Sequence, residues 1–161
     1  MPAMANQLPD NDNDNQDIDE IDNYDFLYNN DGSIDNYDVA SMENLMDEAF
    51  ALIGTRYQRG AMGMGAFDCS GFTSYLYDQM GIKLNRTSRA QYTQGEAVDN
   101  SNLQTGDLVF FSDSVDPIGH VGMYIGNGQF VHAANSRSGV IITDLTTGYY
   151  ATRGYEARRI V

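Results

Sequence analysis

Apolar side chains recur at intervals of three and four residues early in the chain, which is the spacing of an amphipathic helix. One such stripe is formed by Met42, Leu45, Met46, Ala49, Phe50 and Ile53. It predicts a helix with Ser41 as its N-cap and Gly54 at its end. A second helix is predicted over 69–80 and a short third helix over 87–94, with a glycine-rich loop at 55–67.

The second half of the chain has short apolar runs separated by turn residues, a pattern typical of β-strands. The strands are predicted at 108–111, 120–125, 129–133, 140–143 and 155–161. The run Gly126-Asn127-Gly128 is a strong hairpin signal between two of them. Because helices come first and an antiparallel sheet follows, the sequence predicts a single α+β domain.

Charge is distributed unevenly along the 161 residues, whose formal net charge is −14. Residues 1–50 hold 14 of the 23 acidic residues and none of the nine Lys and Arg residues, so residues 51–161 hold nine acids and nine bases. A domain without a basic excess does not predict nucleic-acid binding. We interpret residues 1–40 as an acidic, Asn- and Asp-rich arm or disordered linker, and residues 41–161 as the folded domain.

Part of the acidic arm, residues 29–38, has oxygen-bearing side chains at spacings similar to those of a calcium loop. Gly32 would provide its sharp turn, but the first ligand would fall on Leu27, whose side chain has no oxygen. The alternative is an ordinary Asp-Gly turn. The aromatic residues of the arm are Tyr24, Phe26, Tyr28 and Tyr37. They suggest that the arm docks onto the domain. A non-enzymatic alternative is that the acidic arm is itself the functional part and mediates adhesion or calcium-dependent docking.

No apolar run approaches the roughly 20 residues of a membrane-spanning helix, so no integral membrane segment is predicted. The first residues, Met1 to Met4, lack the charged and apolar regions of a signal peptide. We therefore expect either that the protein is not exported through such a signal or that the signal has been removed.

Cys69 is the only cysteine, which excludes an intramolecular disulfide and makes this residue a candidate nucleophile. It lies where the glycine-rich loop ends and the second helix is predicted to begin. At a helix N-terminus, unpaired N–H groups and the helix dipole favour the thiolate, which is the form that attacks. The alternative is that Cys69 is a small buried apolar residue.

The two histidines of the chain, His120 and His132, lie on the predicted strands that flank the Gly126-Asn127-Gly128 turn. Counting outward from the turn places His120 opposite residue 133 or 134, so the two rings are expected to be cross-strand neighbours. A base that contacts the thiol and is oriented by a second polar ring is the arrangement of a catalytic triad. The alternatives are two unrelated surface histidines, or a zinc site that lacks a clear fourth ligand. We predict no metal and no cofactor.

Four segments of the chain, in this order and spacing, resemble the NlpC-type cysteine peptidases of bacterial cell walls. They are FDCSGF at 67–72, LQTGDLVFF at 103–111, GHVGMYIG at 119–126 and FVHA at 130–133. The resemblance extends over about residues 42–161 and implies a papain-like core, in which the helix that carries the nucleophile packs on a five- to six-stranded antiparallel sheet. By position, it implies Cys69 as the nucleophile, His120 as the base and His132 as the orienting third residue.

The resemblance also implies substrate-binding residues around the nucleophile. Tyr57 resembles a tyrosine whose hydroxyl helps to hold the oxyanion, together with the N–H of Cys69. Asp68 and Ser70 resemble positions that, in some members, hold the free amine of an L-Ala at the end of a stem peptide. For Asp68, helix capping is the alternative. After Tyr57 this chain has Gln58-Arg59-Gly60, where the family usually has a tryptophan and paired glycines, so the wall of the cleft differs.

The activity implied by the resemblance is hydrolysis of an amide bond in peptidoglycan stem peptides, specifically the bond between D-Glu and the diamino acid. The alternative enzyme is an amidase or secreted effector that uses the same triad on another amide. The resemblance further implies a location outside the cytoplasm, in the periplasm, in the cell envelope or secreted. We expect a monomer whose partners are stem peptides.

Overall fold

A computed structural model describes residues 39–161, with the backbone alone for residues 39 and 40. Its helices are α1 (Val39–Ala51), α2 (Cys69–Asp78), α3 (Ser88–Gln91) and α4 (Tyr149–Arg153). Its strands are β1 (Arg56–Tyr57), β2 (Ala66–Phe67), β3 (Glu96–Val98), β4 (Leu108–Phe111), β5 (His120–Gly126), β6 (Gln129–Ala133), β7 (Val140–Asp144) and β8 (Glu156–Arg159). The predicted calcium loop, the aromatic residues of the arm and all but the last two residues of the arm lie outside the described residues.

The strands form two sheets. β1 and β2 pair in parallel, and the other six strands form one antiparallel sheet in the order β3-β8-β4-β5-β6-β7. Helix α2 packs on β5 and β6, and α1 packs on α2. This arrangement confirms the predicted α+β class and brings the start of α2 to the strands that carry the two histidines. In residues 39–161, no helix has the length and apolar character needed to cross a membrane.

Local structure departs from the sequence predictions where tertiary contacts decide it. Helix α1 begins at Val39, so Ser41 lies inside the helix and the prediction of Ser41 as its N-cap is wrong. Gly54 does end the helical segment, with a left-handed φ of 95°, and its N–H donates to the carbonyl oxygen of Val140 at 3.0 Å. The sequence patterns predict none of β1, β2, β3 or α4. These elements are only two to five residues long and depend on packing instead of on a period of their own.

Strand β4 contributes to the core on both faces of the large sheet. Leu108 and Phe110 pack towards α1 and α2, whereas Val109 and Phe111 pack on the opposite face. Successive side chains of a strand point to opposite faces, so one apolar run can serve two clusters. All four residues are at most 1% exposed. This two-sided burial explains why the sequence of β4 is continuously apolar instead of alternating.

One carboxylate is buried just before β4. Asp107 is 2% exposed and accepts hydrogen bonds from the Nε and Nη2 atoms of Arg159 at 2.9 and 2.8 Å, and from the N–H of Gln104 at 2.8 Å. The ion pair joins the start of β4 to the end of β8. Because a buried charge is costly to leave unpaired, the fold depends on Arg159 more than on an exposed cation.

Replacing Arg159 with leucine should lower the free energy of unfolding by about 3 kcal/mol. This is the lower end of the range for breaking a buried ion pair, because the side chain of Arg159 is itself 31% exposed. Urea unfolding measures the loss. The matched control is Arg89→Leu, which breaks the exposed pair between Arg89 and Asp116 and should cost far less. Equal losses in the two variants would contradict the importance of the buried pair.

Candidate active site

Helix α2 begins at Cys69, as predicted, and Asp68 is its N-cap. The Oδ1 atom of Asp68 accepts a hydrogen bond from the N–H of Gly71 at 2.7 Å. The preceding loop lies directly against Gly71, where a Cβ atom would collide with the carbonyl oxygen of Ala61. The absence of a side chain at Gly71 thus lets the loop close over the first turn of α2 and fixes the position of Cys69.

The two histidines meet on neighbouring strands, as the hairpin predicts. Met123 of β5 lies opposite Val131 of β6, and the same register continued outward places His120 opposite residue 134. The Nε2 atom of His120 and the Nδ1 atom of His132 are 2.7 Å apart and share a hydrogen bond. The Nδ1 atom of His120 is therefore the ring nitrogen that remains for the thiol.

Thr143, on β7, continues the row of contacts and was not found by sequence reasoning. Its Oγ1 atom lies 2.9 Å from the Nε2 atom of His132. His132 pairs with Ile141 across β6 and β7, so Thr143 is two residues further along on the same side of β7. Only the register of β7 on β6 reveals this contact, and the sequence does not give that register.

One cavity of about 600 Å³ is lined by Cys69, His120, His132 and Thr143. The Sγ atom of Cys69 lies 3.9 Å from the carbonyl oxygen of Gly119, the residue before His120. The nucleophile and base predicted from the sequence therefore open into the same space, which is large enough for part of a peptide.

Tyr57 also lines this cavity. Its position follows from the pairing of β1 with β2, which places Tyr57 beside Phe67, two residues before Cys69. Burial raises the pKa of Tyr57, and the neighbouring charge of a Cys69 thiolate raises it further. The phenol therefore keeps its proton and can act as a hydrogen-bond donor.

Helix α4 supplies an aromatic wall that sequence reasoning missed. Tyr149 and Tyr150 line the cavity, and the ring of Tyr150 stacks on that of His120 at 5.9 Å with an interplanar angle of 20°. Tyr150 also packs on Phe111 and Phe130, with ring centroids 4.7 and 5.2 Å away. These contacts with the sheet explain why a five-residue helix forms without an amphipathic pattern.

Asp68 is paired with Arg86, a residue for which no role is predicted from the sequence. Two hydrogen bonds, at 3.1 and 2.8 Å, join the guanidinium of Arg86 to the two carboxylate oxygens of Asp68. Arg86 also donates to the Oγ atom of Ser70 at 2.9 Å, and the N–H of Gly60 donates to Asp68 at 3.0 Å. The capping role of Asp68 is therefore present in the structure. Neither Asp68 nor Ser70 is among the described residues that line the cavity of Cys69.

The segment around α3 ties the start of α2 to the loop before β5. The side-chain amide of Gln91 donates to the carbonyl oxygen of Ser70 at 3.1 Å and to the hydroxyl of Ser74 at 3.0 Å. The hydroxyl of Ser88 donates to the carbonyl oxygen of Ile118 at 2.6 Å. These bonds couple the positions of Cys69 and His120, although neither Gln91 nor Ser88 touches the cavity.

Burial sets the resting protonation state of Cys69. It raises the pKa of the thiol more than the hydrogen bond from the N–H of Val121 lowers that pKa, and the charge of Asp68 raises it further. The N–H groups of Ser70 and Cys69, at the helix N-terminus, lower the pKa as the sequence predicts, but by less than burial raises it. The resting nucleophile is therefore a neutral thiol that must give its proton to a base.

Burial also keeps both imidazoles neutral at rest. It lowers the pKa of His120, which the charge of Asp113 raises only in part. It likewise lowers the pKa of His132, whose ring is fully buried, and a positive charge on His120 lowers that pKa further. A neutral His120 has a free lone pair on one nitrogen, which a base requires. Across residues 39–161, no three His, Cys, Asp or Glu side chains are grouped closely enough to hold a metal ion.

A thiol at the start of a helix, a histidine pair on a packed antiparallel sheet and a shared cavity resemble the arrangement of papain-like cysteine peptidases. The chain belongs to the NlpC/P60 family, whose model matches residues 54–159. This membership confirms the resemblance found in the four sequence segments.

Individual relatives agree with this assignment. The chain is 43% identical over 127 residues to the Murein DD-endopeptidase MepS/Murein LD-carboxypeptidase of Escherichia coli strain K12, covering 78% of this chain and 65% of that protein. It is 49% identical over 92 residues to the probable endopeptidase p60 of Listeria seeligeri, covering 57% of this chain and 17% of that protein. A solved NlpC/P60 family protein from Bacillus cereus has a TM-score of 0.69 and 36% identity, over 74% of this chain and 40% of that chain. The chain thus spans less than two thirds of each of these relatives.

Acid should destabilise the protein through its two histidines. Both folded-state pKa values lie below the ordinary value of 6.5, so the unfolded chain binds protons before the folded chain as the pH falls. The stability contributed by the neutral rings is fully present above about pH 6.5. It is lost as the pH falls towards about 4, the folded-state pKa of His120, at about 1.4 kcal/mol per pH unit for each ring.

Urea unfolding at several pH values in this window measures the slope. The control is the double variant His120→Asn/His132→Asn, in which the carboxylates still titrate but the two rings do not. The difference between the two slopes isolates the histidines. Parallel slopes would contradict neutral, buried rings in the folded protein.

Proposed function

We propose that this chain is a peptidoglycan hydrolase that cleaves an amide bond in stem peptides by means of the Cys69 thiol. The observation that carries the proposal is the opening of Cys69 and the hydrogen-bonded pair of His120 and His132 into one cavity. The relatives named as a murein endopeptidase and a probable p60 endopeptidase support the substrate class. Because a cell-wall substrate lies outside the cytoplasm, we propose that the protein acts there, as a monomer.

The proposed reaction uses the side chains of Cys69, His120 and Tyr57. The Nδ1 atom of His120 takes the proton of the Cys69 thiol as the sulfur attacks the carbonyl carbon of the substrate. The carbonyl oxygen becomes an oxyanion, held by the N–H of Cys69 and the hydroxyl of Tyr57. The imidazolium of His120 then protonates the leaving amine, and a thioester with Cys69 remains. Water, activated by His120, cleaves the thioester and restores the thiol.

The scissile bond is proposed to be the one between D-Glu and the diamino acid. A second candidate comes from the E. coli relative, whose name specifies a DD-endopeptidase, that is, cleavage between two D-configured centres. The two bonds leave different fragments of the same cross-linked muropeptide, so their products differ in mass.

Asp68 and Ser70 are proposed to hold the free amine of an L-Ala stem-peptide end. A carboxylate attracts an ammonium group, but both oxygens of Asp68 already bind Arg86. An incoming amine must share Asp68 with the guanidinium or displace it.

Replacing Cys69 with alanine should reduce muropeptide cleavage by about 10⁴-fold or more, as for other catalytic nucleophiles. Mass spectrometry of digested peptidoglycan measures the loss and identifies the bond from the product masses. The thermal unfolding temperature should change little, because alanine keeps the Cβ atom and the hydrogen bonds of a thiol, such as the one to Gly119 at 3.9 Å, are weak. Ser114→Ala, an exposed substitution outside the cavity, is the control. Cleavage that persists in the Cys69 variant would rule out the mechanism.

We further propose that residues 41–161 form the catalytic domain and residues 1–40 an arm that is separate from it. In the part of the chain that the structure describes, both core clusters are built from residues after 41, and the proposal predicts that deletion of residues 1–38 leaves the thermal unfolding temperature and muropeptide turnover unchanged. Differential scanning calorimetry and the digestion assay measure the two quantities. Faster turnover after deletion would show instead that the arm covers the active site, and a lower unfolding temperature would show that it packs on the domain.

A further inference from the structure

Three side chains form a row of hydrogen bonds that ends at Thr143. The Oγ1 atom of Thr143 meets the Nε2 atom of His132 at 2.9 Å, and the Nδ1 atom of His132 meets the Nε2 atom of His120 at 2.7 Å. Each neutral imidazole has one N–H donor and one lone-pair acceptor. The protons of such a row must therefore all point the same way, and the row has two possible directions.

Only one direction leaves His120 able to act as a base. If Thr143 accepts from the Nε2–H of His132, then His132 accepts from the Nε2–H of His120, and the Nδ1 atom of His120 keeps its lone pair. In the opposite direction the Thr143 hydroxyl donates, both rings reverse their tautomers, and the Nδ1 atom of His120 carries a proton. A protonated Nδ1 atom cannot take the proton of Cys69.

We propose that Thr143 is a positioning residue that sets this direction by accepting a hydrogen bond from the Nε2–H of His132. It thereby holds both histidines as Nε2–H tautomers. The proposal rests on the proposed function, in which His120 removes the proton from Cys69.

The charged stage of the reaction requires the same direction. When His120 has taken the thiol proton, both of its nitrogens carry hydrogen, and its Nε2–H must donate to a lone pair on the Nδ1 atom of His132. His132 must then carry its own proton on Nε2, where the Oγ1 atom of Thr143 is its hydrogen-bond partner. An unpartnered N–H in a fully buried ring is disfavoured by roughly 10- to 100-fold.

Aromatic rings pack on the rings of the two histidines, whereas Thr143 lies at a ring nitrogen of His132. The ring of Phe130 lies 4.3 Å from that of His132, and Tyr150 stacks on His120. The titratable groups that face the pair are Cys69 from α2, Asp113 from the loop before β5, Tyr57 from β1, and Tyr149 and Tyr150 from α4. Among residues 39–161, Thr143 is the side chain that shares a hydrogen bond with the Nε2 atom of His132, so control of the proton on that atom falls to Thr143.

Nitrogen-15 NMR of the histidine side chains tests the proposal directly, because the chain has only two histidines and every signal belongs to one of them. At pH 7 the native chain should show both rings as neutral Nε2–H tautomers. In Thr143→Val, which keeps the shape but removes the oxygen, His132 should move towards the Nδ1–H tautomer. Thr143→Ser should restore the native spectrum. Thr147→Val, at an exposed threonine of the following loop, is the matched control and should leave the spectrum unchanged.

Turnover gives the second readout. Thr143→Val should lower kcat for muropeptide cleavage by roughly 10- to 100-fold with little change in KM, and Thr143→Ser should recover most of kcat. An Nδ1–H tautomer of His132 in the native chain overturns the proposal, and this result does not depend on whether Thr143→Val folds. Unchanged tautomers in a folded Thr143→Val variant also overturn it. The spectra need no substrate. If no muropeptide is cleaved by the native chain, the proposed function fails, while the tautomer result still decides what Thr143 does to the histidines.

Discussion

The site depends on the close packing of α2 against β5 and β6, which brings a thiol on a helix to two rings on a sheet. Two glycines leave room for neighbouring groups in this arrangement, one in the first turn of α2 and one on β5. At Gly71 the carbonyl oxygen of Ala61 occupies the space of a Cβ atom. At Gly122 a Cβ atom would lie 2.7 Å from the ring of Phe130 and 2.9 Å from the Cβ atom of His132. Gly71 thus lets the loop close over the start of α2, and Gly122 leaves room beside β5 for the side chains of Phe130 and His132.

Burial gives the site an uncharged resting state. It raises the pKa of the Cys69 thiol and lowers the pKa of both imidazoles, so charge appears only when a proton moves from Cys69 to His120. A neutral row of groups carries no fixed charge that would orient it. The direction of its protons must therefore come from hydrogen-bond geometry. This makes Thr143, at the far end of the row, as important as the residues nearest the substrate. The ion pair of Asp68 and Arg86 is outside this row and orders the start of α2 instead.

The residues that could be predicted from the sequence are those whose positions follow from local patterns. Cys69 stood at a loop-to-helix boundary, and the hairpin at Gly126-Asn127-Gly128 placed His120 and His132 on neighbouring strands. Their contact needed no knowledge of the rest of the fold. All five predicted strands and all three predicted helices were likewise marked by periodicity or by turn residues, although their ends moved by up to a few residues.

The residues that were missed depend on pairings between distant segments. Thr143 reaches His132 only through the register of β7 on β6, and Arg86 reaches Asp68 across 18 residues of chain. Tyr150 stands on a helix that forms because aromatic rings of the sheet hold it. Sequence spacing contains no information on such contacts. The nucleophile and the base could therefore be predicted, but the residues that hold them in place could not.

β7, which carries Thr143, is an edge strand of the large sheet. Its first residue, Val140, is held by β6 on one side and by the chain after α1 on the other, because Val140 exchanges hydrogen bonds with Gly54 and Thr55. Beyond that point, within residues 39–161, β7 pairs with β6 alone, and an edge held on one side opens at a lower free energy than the core. An opening of β7 would separate Thr143 from His132 even if α2, β5 and β6 stayed in place. On the proposed role of Thr143, the order of the histidine row then depends on the edge of the sheet as well as on its core.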